Sequence, residues 1–121
     1  MTRLHPVLRL VRPDGLRFGP GKAQLLDHIA ATGSITQAGR AMGMSYKRAW
    51  GLVEEMNQMF REPVVSASRG GAGGGGAEVT ATGRQVLAHF RALEQVLAGA
   101  ADLAALTDLQ PDLLADISNG K

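Results

Sequence analysis

The 121-residue sequence predicts a mainly α-helical fold with small β elements, and three observations support this prediction. Residues 33–56 contain two stretches of helical apolar spacing around Gly43, which indicates two short helices joined by a tight turn. Residues 64–80 contain two short β-prone runs around a glycine tract, the pattern of a hairpin with an exposed loop. From residue 82 onward, apolar residues recur at the spacing of a long helix. We therefore expect a winged helix-turn-helix that is followed by a long C-terminal helix.

The N-terminal third predicts a hairpin and a first helix. Residues 7–18 contain two apolar runs on either side of the turn signal at residues 13–15, which is typical of a small β-hairpin. The first helix is predicted to begin at Pro20 or Gly21 and to end at residues 32–33, where a glycine can take the left-handed conformation. Its apolar face consists of Leu25, Leu26, Ile29 and Ala30.

Two capped helices make up the predicted helix-turn-helix. Ser34 and Gln37 have the spacing of a capping box at the start of the second helix, and Ser45 caps the third. Gly39 costs ~1 kcal/mol in a helix interior compared with alanine, so we expect the third helix to cross close to it. The predicted buried faces are Ile35, Ala38 and Met42 in the second helix and Ala49, Leu52, Val53, Met56 and Phe60 in the third.

The C-terminal half predicts the wing and the long helix. Pro63 ends the third helix, and residues 64–68 and 78–80 are the predicted strands of the wing. Thr82 and Gln85 form the capping box of a helix of ~25 residues, which is ~37 Å long at the usual rise. A short last helix is predicted from Pro111, with Leu113, Leu114 and Ile117 on its apolar side.

The long helix carries an apolar seam of Val86, Phe90, Leu93 and Leu97. This seam either packs the helix onto the winged-helix core or pairs with a second copy of the chain. Because the predicted helix is longer than the body it covers, we expect a dimer interface in its far part. The predicted domains are therefore residues 1–80 for the winged helix-turn-helix and residues 81–121 for the dimerising helices.

The composition excludes several classes of site. The sequence has no cysteine, and therefore no disulfide and no thiolate metal site. His5, His28 and His89 fall on separate elements without carboxylates at ligand spacing, so we expect no metal site and no cofactor. Residues 71–76 match a dinucleotide-binding glycine pattern but lack the surrounding strand–helix unit of a parallel sheet. With no catalytic arrangement visible, we expect a protein that is not an enzyme.

Neither a signal peptide nor a membrane span is recognisable, which predicts a cytoplasmic protein without a membrane partner.

Residues 1–91 contain 12 basic and 6 acidic residues, a balance of +6, whereas residues 92–121 contain 1 basic and 5 acidic residues, a balance of −4. A basic body beside an acidic tail is typical of a module that binds a polyanion. Together with the helix-turn-helix, this predicts double-stranded DNA as the partner, with the third helix, Ser45 to about Phe60, entering the major groove by its first turn.

The predicted DNA contacts fall into three groups. On the third helix, Lys47 and Arg48 contact guanine edges or phosphates, with Tyr46 beside them. Trp50 has two equally weighted interpretations, packing against a neighbour or contact with a DNA sugar or thymine methyl group. Glu54 and Glu55 are interpreted as a solvated face. The full predicted set consists of Ser34, Thr36, Gln37 and Arg40 at phosphates, Ser45, Tyr46, Lys47, Arg48 and Trp50 on the third helix, and Arg69, Gly73 and Gly74 in the wing.

An alternative function is a winged-helix module that assembles proteins without binding DNA. Such a module would present an acidic or apolar recognition face. The sequence places Lys47 and Arg48 on that face, which favours DNA.

Several local patterns resemble a known family. Residues 33–38, GSITQA, resemble the opening of the helix-turn-helix in LysR-type regulators. The resemblance is closer to the N-terminal domain of the molybdate-responsive ModE family, and it covers residues from about 20 to 100. It rests on residues 25–50, on the signature from Ser45 to Trp50, on Glu55-Met56-Asn57-Gln58, on the glycine tract at 70–76 and on Val79-Thr80-x-x-Gly83.

The resemblance implies a homodimeric transcription regulator that binds a palindromic operator. In the family, the helix after the wing and the N-terminal elements form the dimer interface, and longer members carry C-terminal domains that bind molybdate. This sequence ends at Lys121 and leaves no room for such a domain, so we expect a single-domain member with no molybdate site of its own. The alternatives are a sensor on another chain or a truncated sequence.

Overall fold

The structure, a computed structural model, describes residues 2–68 and 76–111. The elements in chain order are β1 (Leu10–Val11), β2 (Arg17–Phe18), α1 (Pro20–Thr32), α2 (Ile35–Ala41), α3 (Tyr46–Met59), β3 (Val65–Ser68), β4 (Gly76–Val79), α4 (Ala81–Ala98) and α5 (Ala101–Asp108). β1 pairs with β2 and β3 pairs with β4, both antiparallel. The predicted mainly α-helical winged helix-turn-helix is confirmed.

The N-terminal hairpin is shorter than the predicted residues 7–18 but turns at the predicted place. Leu10 pairs with Phe18, and Gly15 takes a positive φ of 98° in the turn. The Phe18 ring is fully buried and makes edge-to-face contacts with Phe60 at 6.0 Å and with Phe90 at 5.1 Å. The hairpin is thereby joined to the end of α3 and to α4 through an aromatic cluster.

The first helix has the predicted ends. It begins at Pro20 and closes at Gly33, which has φ 70° and donates its N–H to Ile29 O at 2.8 Å. Leu25, Leu26 and Ile29 are fully buried. Ala30, the fourth residue of the predicted apolar face, is exposed, so this face is narrower at its end than predicted.

The two helices of the helix-turn-helix cross where the sequence predicted. A Cβ atom built on Gly39 would lie 2.7 Å from the Cβ atom of Ala49, which is closer than side chains pack. Ser34 Oγ accepts from Gln37 N at 3.0 Å, but the N–H of Ser34 bonds to Thr32 Oγ1 at 3.2 Å rather than to the Gln37 side chain. Only one half of the predicted capping box therefore forms. The predicted apolar faces lie inward: Ile35, Ala38, Ala49, Val53 and Met56 are buried, and Met42, Leu52 and Phe60 are partly buried.

The third helix ends at Met59, before Pro63. The sequence assigns this stop to the proline, but the chain is already extended at Phe60, whose ring packs against Phe18. Arg12 Nη1 of the hairpin donates to the carbonyls of Gln58 and Met59 at 3.0 and 3.2 Å. A side chain from the hairpin thus satisfies carbonyl groups that the helix end leaves without intrahelical partners.

Both predicted strands of the wing form, but β4 covers Gly76–Val79 rather than residues 78–80. The register runs from the pair Val65 and Val79 to the pair Ser68 and Gly76. The glycine loop between them, residues 69–75, lies outside the described residues.

The cap of α4 was predicted wrongly. Thr80, and not Thr82, accepts from Gly83 N at 3.0 Å, while the hydroxyl of Thr82 donates to Glu62 Oε1 at 3.1 Å. β4 ends at Val79, so Thr80 occupies the cap position and the helix has already begun at Thr82, although only Thr82 has a glutamine three residues later.

The long C-terminal helix is shorter than predicted. α4 has 18 residues and ends at Ala98, with Gly99 as its C-cap, after which Ala100 is extended and α5 begins. The N-terminal segment packs against this break, with Arg3 donating to Ala98 O and Leu4 N donating to Thr107 Oγ1 at 3.2 Å. The last predicted helix, with Leu113, Leu114 and Ile117, lies outside the described residues. None of the described helices is both long enough and apolar enough to cross a membrane.

Candidate nucleic-acid interface

The first turn of α3 presents the predicted recognition residues. Tyr46, Lys47 and Arg48 are all exposed, with 61% of Tyr46 accessible. The Ser45 hydroxyl accepts from Arg48 N at 3.1 Å and so fixes the start of the helix. Gln37 and Arg40 are exposed on α2. The structure therefore displays a basic helix end, as the sequence predicts.

A cavity of about 190 Å³ brings together the starts of α2 and α3 and the base of the wing. Thr36 from α2 and Tyr46 and Trp50 from α3 all line it. Its full lining is Ser34, Ile35, Thr36, Tyr46, Trp50, Ser68, Gly76 and Ala77. Of the predicted wing contacts, Arg69, Gly73 and Gly74 lie outside the described residues.

Trp50 is partly buried against the core, as the packing interpretation requires. Its ring lies 6.0 Å from that of Tyr46 and is tilted by 57°. The indole Nε1 is buried and has no hydrogen-bond partner among the described residues. Contact between DNA and the remaining accessible edge of the indole stays a prediction.

The wing is attached to the helices by polar contacts that the sequence did not predict. Asn57 Oδ1 on α3 accepts from Val64 N at 2.8 Å and from Val65 N at 3.1 Å, and its Nδ2 donates to Val65 O at 3.2 Å. Ala77 N on the returning strand donates to Gly33 O at 2.9 Å. These bonds set the position of the wing base relative to α3 and to the end of α1. The available sequence signal was an asparagine inside a helix, where its propensity is poor.

A groove of about 300 Å³ runs along α3 from its first turn. It is lined by Ser45, Lys47, Arg48, Gly51, Leu52 and Glu55. Gly51 leaves this surface hollow, because a Cβ atom built there would meet nothing within 4 Å. The backbone of α3 is therefore accessible to a partner beside Lys47 and Arg48.

Glu55 is exposed, in agreement with its interpretation as part of a solvated face, and it also forms an ion pair. Its Oε1 lies 2.8 Å from Nζ of Lys22, whose side chain is 9% exposed. Lys22 also donates to Arg17 O at 2.6 Å. The signal for Lys22 was present in the sequence, because it lies three and four residues before Leu25 and Leu26 on the buried face of α1. Its charge offsets that of Glu55 in the groove of α3.

Arg12, Lys22 and Arg91 have carboxylate partners, whereas the basic residues near the start of α3 have none among the described residues. Arg91 on α4 bonds to Glu94 at 3.0 Å and to Asp27 of α1 at 2.6 Å, and these bonds raise the pKa of Arg91 above its usual value. Across residues 2–68 and 76–111, Arg40, Lys47 and Arg48 have no carboxylate within 4 Å. Their charges are thus available to an anionic partner.

No protein-family model matches the chain. Among curated proteins, it is 41% identical over 114 residues to the DNA-binding transcriptional dual regulator ModE of Escherichia coli (strain K12), which is 93% of this chain and 44% of that protein. The chain belongs to the ModE family. It is also 45% identical over 80 residues to the molybdenum-pterin-binding protein MopB of Rhodobacter capsulatus, 66% of this chain and 30% of that protein. The chain thus spans less than half the length of these two relatives.

The residues predicted at a dimer interface are divided between core and surface. Phe90 is 2% exposed and packs against Phe18, and Val86 is partly buried. Leu93 is 44% exposed and Leu97 36% exposed. The far half of the predicted seam is therefore available to a partner, whereas Phe90 contributes mostly to the core.

Proposed function

We propose that this chain is the DNA-binding part of a transcription regulator of the ModE family. The observation that supports this most strongly is the exposed, unpaired basic first turn of α3 beside the wing base. The name of the Escherichia coli relative, a DNA-binding transcriptional dual regulator, supports the same function. Because other relatives are named as molybdenum-pterin-binding and molybdenum transport proteins, we propose that the regulated genes serve molybdenum metabolism.

In the proposed complex, α3 enters the major groove by its first turn. Lys47 and Arg48 then reach base edges or the phosphates that flank them, since both groups donate to guanine O6 and N7 and to phosphate oxygens. Ser34, Thr36, Gln37 and Arg40 bind the phosphate backbone beside α2. Gly51 lets the helix backbone approach the DNA closely.

Replacing Lys47 by alanine tests whether the first turn of α3 reads sequence. If Lys47 contacts a base edge, Lys47→Ala costs about 1–3 kcal/mol of binding free energy and relaxes preference at one operator position. If it contacts only phosphate, binding weakens evenly across sequences and the salt dependence falls. The measurement is a binding series of Lys47→Ala on single-position variants of a duplex that the wild-type protein selects from random DNA. Arg61→Ala, beyond the far end of α3, is the control, and an unchanged Lys47→Ala variant would remove this residue from the interface.

We also propose that the regulator binds a palindromic operator as a homodimer, with residues 1–80 contacting DNA and residues 81–121 joining the copies. The support is an almost wholly apolar groove of about 250 Å³ beside the seam of α4. Leu10, Phe60, Thr82, Gln85, Val86, His89, Phe90 and Leu93 line it. Val96, 68% exposed, and Leu97 extend this apolar surface along α4. A second copy that covers it would remove these side chains from water.

Light scattering after size-exclusion chromatography tests the dimer. The wild-type chain is expected at twice its 12.7 kDa mass, and Leu93→Glu at the monomer mass, because a carboxylate in an apolar interface is poorly solvated. Ala88→Glu is the matched control, since Ala88 is exposed on the opposite side of α4. A wild-type protein that stays monomeric at micromolar concentration would refute the dimer.

A further inference from the structure

A second basic surface lies beside the start of α3, on the N-terminal hairpin. A cleft of about 180 Å³ separates the hairpin from α3, and we call it the hairpin cleft. Three arginines line it: Arg9 before β1, Arg17 on β2 and Arg48 on α3. The complete lining is Arg9, Arg17, Gly19, Gly21, Lys22, Met44, Arg48 and Leu52. None of the sequence patterns had placed the hairpin near the recognition helix.

Local structure explains why the arginines face this cleft. In β2, Phe18 is buried in the core, so its neighbour Arg17 points to the opposite side of the strand and is exposed. Arg9 lies against the backbone of Gly19, where an added Cβ atom would be 3.3 Å from Arg9 Nε. Because Gly19 has no side chain, the Arg9 side chain can lie directly against its backbone.

The hairpin cleft has an unbalanced positive charge. Glu55 is held by Lys22 at 2.8 Å and so neutralises the buried lysine rather than an arginine. Within the described part of the chain, Arg9, Arg17 and Arg48 have no carboxylate within 4 Å. Because like charges repel, three unpaired guanidinium groups around one cleft raise the energy of the free protein and favour an anion there.

Two sets of contacts hold the hairpin to the C-terminal half of α3. Lys22 joins Arg17 O, at 2.6 Å, to Glu55 of α3. Arg12 joins the hairpin to the carbonyls of Gln58 and Met59. The arginines of the hairpin are therefore oriented relative to α3 before any partner binds, which reduces the entropy that binding costs.

We propose that the hairpin is a second DNA-contacting element, in which Arg9 and Arg17, together with Arg48, bind phosphates of the DNA backbone. This inference rests on the proposed DNA-binding function. The hairpin cleft and the groove of α3 share Arg48 and Leu52, so the two basic surfaces are continuous. The wing base meets α3 at Tyr46 and Trp50, whereas the hairpin meets it at Arg48 and Leu52. The first turn of α3 is thus flanked by one DNA-contacting element on each side. The planar guanidinium group binds phosphate oxygens in pairs, which suits this role.

The test is the salt dependence of binding for Arg9→Ala, Arg17→Ala and the double variant. The full chain is titrated onto the selected duplex and onto a duplex of unrelated sequence, at salt concentrations between roughly 50 and 200 mM. The slope of log K against log salt is negative, and its magnitude is expected to decrease by about 0.9 for each phosphate that a variant no longer neutralises. The decrease should be about twice as large in the double variant. The decrease is expected to be equal on both duplexes, since phosphate groups carry no sequence information. Arg61→Ala, also exposed and without a carboxylate within 4 Å among the described residues, should keep the wild-type slope.

The outcomes distinguish this inference from the proposed function. If the wild-type protein binds and Lys47→Ala weakens binding while the double hairpin variant keeps the wild-type slope, only the hairpin assignment is overturned. If the wild-type protein does not bind DNA, both proposals fail. Inorganic phosphate provides the third arm. Phosphate is added to the wild-type protein and to the double variant, and the melting temperature of each is measured. If phosphate raises the melting temperature of the wild-type protein only, and the salt slopes of DNA binding are unchanged in the variant, the cleft binds a free oxyanion. That result would overturn the proposed contact with the DNA backbone.

Discussion

Replacing Gly83 by alanine is expected to destabilise the protein by about 3 kcal/mol, at the upper end of the usual cost of overpacking. Gly83 lies in the first turn of α4, where an added Cβ atom would overlap the carbonyl oxygen of Val64 and lie 2.7 Å from Val79 Cγ1. Val64 O cannot easily withdraw, because it also accepts from Thr80 N at 2.9 Å. The start of α4 would have to move away from the wing.

The measurement is the free energy of unfolding from urea titration. Gly51→Ala is the matched control, because it makes the same substitution inside a helix but at a position with open space. That variant is expected to gain up to ~1 kcal/mol from helix propensity alone. If Gly83→Ala lowers the free energy of unfolding and Gly51→Ala raises it, the loss at Gly83 comes from the overlap with Val64. If both variants are stabilised equally, there is no such overlap.

Features that depend on neighbouring residues were predictable from the sequence. Ser34 and Ser45 cap the helices as predicted, and Gly33 and Gly43 adopt positive φ values at the predicted helix ends. Gly39 predicted a close helix crossing, because a glycine inside a helix lowers stability unless the missing side chain makes room for a neighbour. That neighbour is Ala49, only ten positions later in the sequence. Within the helix-turn-helix, the pattern therefore specified both the elements and their contact.

Features that join distant segments were not predictable. Gly83 packs against Val64 across the whole wing, and Arg12 reaches the end of α3 from the hairpin. The overlong prediction for α4 has the same origin, since alanine-rich spacing continues through residue 104, but Arg3 from the other end of the chain meets the break at Ala98. The pairing of Lys22 with Glu55 likewise requires α1 and α3 to be placed in space. Local periodicity contains no information on such placements.

Replacing Asn57 by alanine is expected to cost about 2–6 kcal/mol, because a buried donor without a partner costs ~1–3 kcal/mol and this change creates two. Asn57 Oδ1 is the acceptor for the N–H groups of Val64 and Val65, which are 0% and 3% exposed. The side chain also donates to Val65 O at 3.2 Å. The substitution therefore removes every one of these bonds between α3 and the first strand of the wing.

Two comparison variants separate the hydrogen bonds from the removal of a side chain. Gln58→Ala truncates the neighbouring exposed residue and should change the unfolding free energy by less than about 0.5 kcal/mol. Asn57→Asp keeps an acceptor for both N–H groups but removes the donor to Val65 O, so it should fall between wild type and Asn57→Ala. An Asn57→Ala variant as stable as Gln58→Ala would mean that water replaces the amide at no cost.

The same substitution connects stability to the proposed function. Asn57 holds the first strand of the wing against α3, and Ala77 N holds the returning strand to Gly33 O. Without the amide, the wing base loses its fixed position beside Tyr46 and Trp50, although none of the residues proposed to contact DNA has changed. Binding at a temperature where the variant is fully folded should therefore weaken on the selected duplex, because ordering the wing then adds to the entropic cost. Unchanged affinity in the folded variant would show that α3 and the hairpin bind DNA without a positioned wing.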